Sequence, residues 1–415
     1  MKKKILISNG YKDFFLISTA KKLLKLNFNI SLFSGYFLNS FLEALSKKTK
    51  IKHYKITKLI QRRQQINHKY LKTFFFGELI HEISLYLKNY EKISNFLRII
   101  SYKLYQFKIL RYLKNNHQNI NVYHFRSGFG GRSIKFAKSC GIKVICDHSI
   151  AHPSLIEFMT ENKGKFPKKK PELKNNFWKY ILNDLEKTDI VLVNSNFVKK
   201  TLIYMGVPQK KIKIIYLGLD ARYPKLNKDK KYPNKLNNKI KFIFAGGIEK
   251  RKGIYEIIKA FKQLENLKIQ NFELNLVGSI SDQVKNKFDE FINNKNIKYH
   301  GILNYKDLIN LMFNCHVLVF PSRVEGSARV VPEAMAAGCA IITTENTGSV
   351  VKNKKNGIII SPGDSVNLLK ALIRFIKNPK LIKLYGSANK NLIFRKYNTN
   401  IYIKNLIKLY NSNNV

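Results

Sequence analysis

The sequence lacks a long apolar segment. A membrane-spanning helix requires about 18 uninterrupted apolar residues. No stretch of the sequence approaches this length, so no membrane span is expected. The N-terminus carries three lysines, as signal peptides often do, but the apolar run after them ends within a few residues. That run is too short for the hydrophobic region of a signal peptide, and we expect a first β-strand there.

Cysteine is scarce, and its four positions lack the spacing of metal ligands. Cys140, Cys146, Cys315 and Cys339 each lie in or beside an apolar segment. Buried, unpaired thiols in a reducing compartment are therefore expected. Asp-x-Asp and Cys-x-x-Cys pairs are also absent, so the sequence does not support a bridging metal ion.

Acidic residues are few, with 26 Asp and Glu against 76 Lys and Arg and a net charge of +50. Such a charge suits nucleic acid, an anionic membrane or anionic substrates. Only 12 of the basic residues are Arg, however, and the lysines are spread evenly, which favours an AT-rich codon bias as a partial cause. Base-specific readers depend on Arg, and zinc-finger, RNA-recognition and basic-zipper motifs are absent. Nucleic acid is therefore not the expected partner.

What the chain does contain is a repeated alternation of strand-like and helix-like segments. In the first half, apolar runs at 121–125, 143–149 and 189–195 are separated by helical stretches, and the second half repeats this alternation from residue 241 onward. Solenoid periods are not visible. The pattern predicts an α/β protein with two doubly wound sheets.

Residues 52–114 form a distinct basic and aromatic segment with helical spacing. It holds 14 Lys and Arg against three Glu. One interpretation is a set of amphipathic helices that pack on the sheet and keep their lysines in water. The other is a surface that rests on an anionic bilayer or gathers an anionic or lipid-linked acceptor.

The segment from Pro321 to Gly348 is the most informative part of the chain. Glu325 lies in a loop after an apolar run, and Glu333 follows after a gap of seven residues. Pro332 is expected to open a helix, because a fixed φ and a missing N–H are tolerated at the first helical position. The helix should end at Gly338, a favourable residue for a left-handed cap.

Such a strand, loop and helix start can bind an anionic ligand. The first helical turn presents free N–H groups and the positive end of the helix dipole. A diphosphate can bind these amides while the carboxylates of Glu325 and Glu333 accept hydrogen bonds from sugar hydroxyls. A glutamate in a first helical turn can equally be a simple complement to the dipole.

A second phosphate cradle is predicted after the strand-like segment 241–245. Gly246 and Gly247 would let the backbone approach a ligand closely, and Arg251 and Lys252 stand at the start of the next helix. Gly278 follows another strand, at the edge where open α/β sheets bind ligands.

The two glutamates, their spacing and the small-residue helix between two apolar strands resemble the retaining glycosyltransferases of family 4 (glycosyl transferases group 1). The resemblance is good over 180–375 and weaker before that. It implies the GT-B architecture, in which two Rossmann-like domains face a cleft. We place an acceptor domain at 1–217, a linker near 218–239, a nucleotide-sugar domain at 218–389 and a terminal helix at about 390–415 that packs back on the first domain.

The resemblance also implies roles for donor-binding residues. Lys252 would bind the donor diphosphate, and Arg251 would supply the charge of a family arginine that is missing near Gly247. Glu333 would hold the ribose hydroxyls, and Glu325 would hold or polarise the sugar. The remaining donor-binding positions would be Gly246, Gly247, Gly278, Gly326 and Ser327.

In the first domain, His148 matches the family histidine that contacts the transferred sugar. His152 competes for that role, and Asp147 is a third polar group there. A two-histidine zinc site at these positions is disfavoured, because Ser149 replaces the expected Glu and Pro153 would break the helix. The residues from Asn9 to Lys12 stand where the family has paired glycines.

The expected activity is therefore transfer of a hexose from a UDP- or GDP-sugar to a glycan or lipid-linked acceptor, with retention, in cell-surface polysaccharide or lipopolysaccharide synthesis. No metal or other cofactor is expected. The expected location is cytoplasmic, peripheral on the inner face of the membrane. Two alternatives remain open: a nucleotide-sugar epimerase or phosphorylase of the same architecture, and a basic RNA- or lipid-binding protein.

Overall fold

The computed structural model describes residues 4–12, 14–35, 66, 68–87, 89–219, 223, 229–233 and 239–412. Within these residues, two parallel β-sheets of seven and six strands are each packed against helices. The predicted α/β fold with two doubly wound, Rossmann-like domains is confirmed.

The first sheet has the spatial order β3-β2-β1-β4-β5-β6-β7, and its strands are parallel. All four residues of β6 are buried, as expected of a parallel strand covered on both faces. Strands β1 to β7 are Lys4–Ser8, Asn29–Ser34, Leu71–Thr73, Ile120–Arg126, Lys143–Asp147, Ile190–Val193 and Ile212–Ile214.

Seven α-helices connect or flank the strands of this sheet in the described residues up to Met205. Two of them begin at side-chain caps: the Asn175 side chain accepts backbone N–H groups at the start of α6, and the Ser195 side chain does so at the start of α7. Helices α1 to α7 are Phe15–Lys25, Phe75–Tyr86, Glu91–Asn116, Arg132–Ser139, Pro153–Glu161, Asn176–Lys187 and Asn196–Met205.

The second sheet has the order β10-β9-β8-β11-β12-β13 and is also parallel. Strands β8 to β13 are Ile240–Ala245, Phe272–Val277, Ile297–Tyr299, Val317–Phe320, Ala340–Thr344 and Ile358–Ile360. Helices α8 to α13 are Ile254–Asn266, Lys285–Ile292, Tyr305–Asn314, Val330–Ala336, Ser365–Lys377 and Pro379–Lys396.

Strand order reverses once in each sheet, between β1 and β4 in the first and between β8 and β11 in the second. Loops that leave the carboxyl ends of the strands diverge at such a point and leave a crevice for ligands. The residues that the sequence singled out follow β5, β8, β9 and β11, so they lie at these edges.

The last helix of the described residues is α14, Thr399–Asn411, which packs on the first sheet. Its buried Tyr402, Leu406 and Tyr410 join the apolar cluster that holds β1 and β2. The predicted start near residue 390 is nine residues early, because α13 continues to Lys396 and packs on the second sheet. The chain passes between the two sheets twice, near Leu219 and near Tyr397. These two segments are in contact, because the Leu219 N–H donates to the Tyr397 carbonyl at 2.8 Å.

Only part of the basic segment 52–114 can be described, because 52–65, 67 and 88 lie outside the described residues. Helices α2 and α3 form an antiparallel hairpin in which the Ser94 hydroxyl donates to the Ser84 carbonyl and the Ser101 hydroxyl to the Gly77 carbonyl, both at 2.8 Å. The hairpin packs on the sheet, yet its outer faces carry exposed Phe, Tyr and Ile side chains. Among the described residues, no helix is both long and apolar enough to cross a membrane.

The four cysteines are unpaired, as expected. Cys146, Cys315 and Cys339 are buried, whereas Cys140 is half-buried. Burial raises the pKa of the Cys146 thiol, so this side chain is an inert, protonated part of the core.

Candidate active site

The core of the site is an ion cluster at the carboxyl edge of the second sheet. The loop after β11 carries Glu325, and a short 3-10 turn after β8, Lys250–Lys252, carries Arg251 and Lys252. The Arg251 Nη1 atom lies 2.9 Å from Glu325 Oε1, and the Lys252 ammonium contacts the same oxygen. The Glu325 side chain is only 12% exposed, so these pairs are poorly screened by water.

Arg251 has a second carboxylate partner that the sequence did not suggest. Its Nη2 atom lies 2.7 Å from Glu249 Oε1. The four charges of Glu249, Arg251, Lys252 and Glu325 therefore balance one another.

Backbone and hydroxyl contacts fix the position of the loop that carries Glu325. The Ser322 hydroxyl and the Arg323 N–H both donate to the Arg251 carbonyl, at 3.0 Å and 2.9 Å. The Glu325 N–H donates to the Asn346 carbonyl at 2.9 Å. The predicted phosphate cradle and the predicted sugar-binding loop are thus one connected structure.

Glu333 lies close to its predicted place. It is buried in the first turn of α11, although that helix begins at Val330 rather than at Pro332. Pro332 is the third helical residue, where its missing N–H has no intrahelical partner to lose. Gly338 ends the helix as expected, with a φ of 74° and an N–H that donates to the Met335 carbonyl at 3.0 Å.

The glycines at this edge allow close packing of the strand ends. A β-carbon on Gly278 would lie 1.8 Å from the Gly246 carbonyl oxygen, so glycine is required where β8 and β9 end side by side. A β-carbon on Gly247 would meet only the Glu249 side chain, at 3.7 Å. Gly247 therefore keeps open space beside the ion cluster, whereas Gly278 serves the packing of the sheet.

In the first domain, His148 follows β5 and is fully buried. Its Nδ1 atom lies 3.0 Å from the Ser127 hydroxyl, and its Nε2 atom is buried without a hydrogen-bond partner in the described part of the chain. Burial, with a smaller effect of His152, lowers the pKa of His148 to about 3. The imidazole is therefore neutral near pH 7, with one ring nitrogen left for a ligand.

The two polar neighbours of His148, His152 and Asp147, each have a partner within the protein. His152 precedes α5, and its Nδ1 atom lies 2.8 Å from the Ser154 hydroxyl. Asp147 turns into the core, where its Oδ2 atom lies 3.4 Å from His124 Nε2. No helix carries both His148 and His152, and within the described ranges no three His, Cys, Asp or Glu side chains are grouped as metal ligands would be.

The first loop, from Asn9 to Lys12, is tied to the protein interior. Tyr11 is buried among aromatic rings, and a β-carbon on Gly10 would lie 2.3 Å from the ring of Phe129. Glycine is needed at position 10 to accommodate that ring.

The loop that carries Glu325 also contacts the first domain directly. The Ser195 hydroxyl donates to the Gly326 carbonyl at 2.6 Å, and a β-carbon on Gly326 would lie 2.3 Å from the Ser149 carbonyl oxygen. Gly326 is thus packed against the residue that follows His148. The structure brings the candidate sugar-binding residues of the two halves to one interface.

Val324, on the other side of Glu325, is inserted into an apolar cluster of the first domain. It is fully buried, and its partners there are Ala151, Leu155, Met159 and Phe197. Arg323 adds a polar link, because it pairs with Glu256 at 2.5 Å and donates to the Thr160 carbonyl at 2.8 Å. These contacts gave no sequence signal, since they depend on how the two halves meet.

Two family models together match most of the chain. "Glycosyltransferase Family 4" matches residues 76–223, and "Glycosyl transferases group 1" matches residues 227–392. These two matches agree with the two parallel sheets and with the site where the two domains meet, and together they identify the family. The chain belongs to the GT-B glycosyltransferases.

Curated relatives agree with this membership. An uncharacterised glycosyltransferase of Methanocaldococcus jannaschii is 29% identical over 60% of this chain and 66% of its own length. A capsular polysaccharide biosynthesis glycosyltransferase of Staphylococcus aureus is 28% identical over 54% of this chain and 62% of its own length. The matched part thus spans slightly less than two thirds of these relatives.

A third relative has a name that describes its substrate. It is the N,N'-diacetylbacillosaminyl-diphospho-undecaprenol alpha-1,3-N-acetylgalactosaminyltransferase of Campylobacter jejuni, which is 28% identical over 38% of this chain and 41% of its own length.

Solved structures share the whole fold at low sequence identity. A glycosyltransferase from Rickettsia africae superposes with a TM-score of 0.63 at 18% identity, covering 99% of this chain and 98% of its own. Anabaena HepE, solved in complex with UDP, superposes with a TM-score of 0.61 at 16% identity and covers 99% of both chains. These likenesses establish the fold.

Proposed function

We propose that the protein transfers a hexose from a UDP- or GDP-sugar to a glycan or lipid-linked acceptor, with retention of the anomeric configuration. The observation that carries the proposal is the meeting of Arg251, Lys252 and Glu325 beside the loop of His148. The names of the relatives from Staphylococcus aureus and Campylobacter jejuni support a role in cell-surface polysaccharide synthesis and a lipid-diphosphate acceptor.

The proposed donor site lies in the second domain. Lys252 and Arg251 would bind the diphosphate, and Glu333 would accept hydrogen bonds from the ribose. Gly246, Gly247, Gly278, Gly326 and Ser327 would line the donor site, as the family resemblance implies. Gly247 and Gly326 have the more direct support, because Gly247 lies open beside the ion cluster and Gly326 lies next to Glu325 and the loop of His148.

Donor binding would exchange one anion for another at the two cations. In the free protein, Glu325 balances Arg251 and Lys252. A diphosphate that arrives there would replace it, because phosphate oxygens form strong, charge-assisted hydrogen bonds with both side chains. Glu325 would then be released toward the sugar, beside the neutral His148.

His148 has the properties of a ligand for a sugar hydroxyl. Its buried Nε2 atom has no partner among the residues that the structure describes, and a buried polar atom is costly to leave unpaired. A hydroxyl group can donate to this nitrogen or accept from it, according to the tautomer that Ser127 selects. Contacts of this kind would orient the sugar for transfer.

The proposed reaction does not use a metal ion. As the bond between the sugar and the diphosphate breaks, charge grows on the leaving nucleotide, and Lys252 and Arg251 would stabilise it there. The proposed location is cytoplasmic and peripheral on the inner face of the membrane, where a lipid-linked acceptor would be available.

A panel of nucleotide sugars in thermal-shift format tests the donor, since a ligand at about 100 times its Kd adds ~2.7 kcal/mol to the free energy of unfolding. The selected donor is then incubated with an undecaprenyl-diphosphate saccharide in the presence of EDTA, and the anomeric configuration of the product is read by NMR. Release of nucleotide without transfer, or a requirement for free phosphate, would instead indicate an epimerase or a phosphorylase.

A further inference from the structure

A groove of about 1180 Å³ lies between helices α3, α4 and α6, away from the ion cluster described above. These helices cover the face of the first sheet whose core includes Tyr105, Ile134 and Leu185. The proposed transfer reaction assigns no role to this groove.

The lining of the groove combines positive charge with apolar surface. Phe107, Leu110 and Ile134 supply the apolar part. Among the described residues, no carboxylate lines the groove, although Lys138 also pairs with Asp189 at 2.8 Å. The cationic side chains around it are Lys103, Lys114, Arg132, Lys135, Lys138 and Lys187.

The topology of the sheet sets the direction of the groove. Helix α4 begins after β4, at the carboxyl edge of the sheet, and runs back toward the amino edge, where Lys138 and Lys187 lie shortly before β5 and β6. Arg132 therefore marks the end of the groove nearest the active-site edge. It is five residues from Ser127, whose hydroxyl contacts His148.

An unusual share of the exposed apolar side chains lies on the hairpin of α2 and α3, and α3 also lines this groove. Of the 17 large apolar residues that are exposed in the described part of the chain, ten lie between Phe75 and Phe107, on α2, α3 and the turn that joins them. Phe96 is 62% exposed and Phe107 is 61% exposed. Helix α3 itself carries six basic residues and one acid. Exposed apolar clusters with basic neighbours mark surfaces for membranes or partners.

We propose that this groove and the exposed face of α3 bind the surface of a bilayer rich in anionic phospholipids. Lipid phosphates would lie in the groove among its cations, while Phe96 and Phe107 would enter the boundary of the acyl chains. The choice of a lipid bilayer follows from charge complementarity over an apolar floor, which suits a phosphate carried on a hydrocarbon chain. The proposal deepens the proposed peripheral location, because it would bring the active-site edge close to a lipid-linked acceptor.

The test is co-sedimentation of the full chain with vesicles of phosphatidylcholine alone and with vesicles containing phosphatidylglycerol. A triple variant, Lys103→Gln, Arg132→Gln and Lys135→Gln, should lose binding to the anionic vesicles by on the order of 100-fold, because each cation at such a surface contributes about a fivefold gain. Binding by the original protein should fall as salt rises.

A protein with a charge of +50 binds any polyanion to some extent, so a matched control is essential. The variant Lys377→Gln, Lys380→Gln and Lys383→Gln removes the same charge from exposed lysines on α12 and α13. Its binding should change by less than about threefold, since these charges lie on the other domain and are screened by salt.

A second pair of variants tests the apolar contact. The double variant Phe96→Ser, Phe107→Ser should weaken vesicle binding at high salt. The control double variant Leu267→Ser, Leu384→Ser should not weaken it, although these leucines are also exposed, at 56% and 63%. Equal losses in the groove variant and its lysine control would overturn the proposal. So would equal pelleting with neutral vesicles, or release of the protein by millimolar glycerol phosphate, which would point to a site for free phosphate.

Nucleotide affinity, measured by calorimetry on the same variants, separates this proposal from the proposed function. Groove variants should keep the nucleotide affinity of the original protein. If neither the original protein nor any variant bound a nucleotide, the transferase proposal would fail. The vesicle result would still decide the role of the groove.

Discussion

The guanidinium of Arg251 lies 2.9 Å from the carboxylate of Glu325, and the ammonium of Lys252 contacts the same oxygen atom. The sequence alone predicts two separate tasks, with the cations on the diphosphate and Glu325 on the sugar. Their contact means that, in the proposed function, the donor must compete with Glu325 for its two cations. In the free protein, the carboxylate of Glu325 therefore supplies the negative charge that the donor diphosphate would bring to Arg251 and Lys252.

Replacement of Lys252 by Ala should weaken the binding of the nucleotide sugar and of free UDP or GDP by similar factors. The proposed contact is charge-assisted, and its loss typically costs ~1.5–3 kcal/mol of binding free energy. The uncharged nucleoside should bind almost as before, because Lys252 is assigned to the diphosphate. Calorimetry with all three ligands makes the measurement.

Lys262→Ala is a suitable control for the Lys252 variant, since the Lys262 side chain is 51% exposed and lies away from the ion cluster. It should leave all three affinities unchanged. An equal loss of nucleoside affinity in the Lys252 variant would argue for local misfolding or a wrong assignment.

Val324→Ala should reduce turnover although the side chain touches no proposed ligand. Val324 is buried in an apolar cluster of the first domain, next to Glu325. Loss of two methyl groups should cost ~1–2 kcal/mol of stability, and the looser loop should lower kcat at least ~10-fold through misplacement of Glu325. Chemical denaturation and steady-state kinetics test the two effects.

Val284→Ala provides the comparison, because Val284 is equally buried in the second domain but lies far along the chain from the site loop. It should lower stability by a similar amount and keep kcat. If both variants lost turnover equally, Val324 would be an ordinary core residue.

The sheets and the site residues could be predicted from different kinds of sequence information. Buried parallel strands are short apolar runs, so β11 and β12 and their order could be predicted from local pattern. The pair Glu325 and Glu333 was found because its spacing is unusual and matches a family. Both depend on residues that are close together in the chain.

The interface between the halves could not be predicted, because it joins residues that are distant in sequence. Ser195 and Gly326 are 131 residues apart, and neither is unusual in its own segment. Glu249 was missed for a different reason. A single acidic residue in a basic turn carries no motif of its own, and only the structure places it 2.7 Å from Arg251.

His316 should make the protein less stable in acid. Its Nδ1 atom accepts the backbone N–H of Lys241 at 3.0 Å, and this requires the neutral ring. Burial, helped by Lys230 and Lys241, lowers the pKa of His316 to about 4. Between that pH and about 6.5 the unfolded chain binds more protons than the fold, so stability falls as the pH falls through this window.

From pH 8 to pH 5, this residue should account for a loss of about 2 kcal/mol in the free energy of unfolding. His316→Asn keeps an acceptor for the Lys241 N–H and should reduce the acid-dependent loss by that amount. Urea denaturation at the two pH values provides the comparison. His117→Gln, at a half-buried position in the first domain, should leave the loss unchanged, and the idea fails if the two variants behave alike.

The two glutamates of the site should separate by role. Glu333→Gln should weaken the binding of the free nucleotide and of the nucleotide sugar, because Glu333, in the first turn of α11, is assigned to the ribose. Glu325→Gln should keep free nucleotide affinity within about threefold. Loss of a competitor of the diphosphate favours binding, but the gain is small because Glu249 still pairs with Arg251. Turnover should fall at least ~10²-fold, the scale of a lost transition-state contact.

The measurement for this prediction is nucleotide Kd beside kcat for both variants, with Glu290→Gln as the control. The Glu290 side chain is 71% exposed and pairs with Lys262, outside the ion cluster, so its loss should change neither quantity. If Glu325→Gln and Glu333→Gln changed nucleotide affinity equally and left kcat intact, the pair would be only a feature of the helix terminus. Glu325 would then be a structural counter-ion of Arg251 and Lys252, and its release toward the sugar would have to be abandoned.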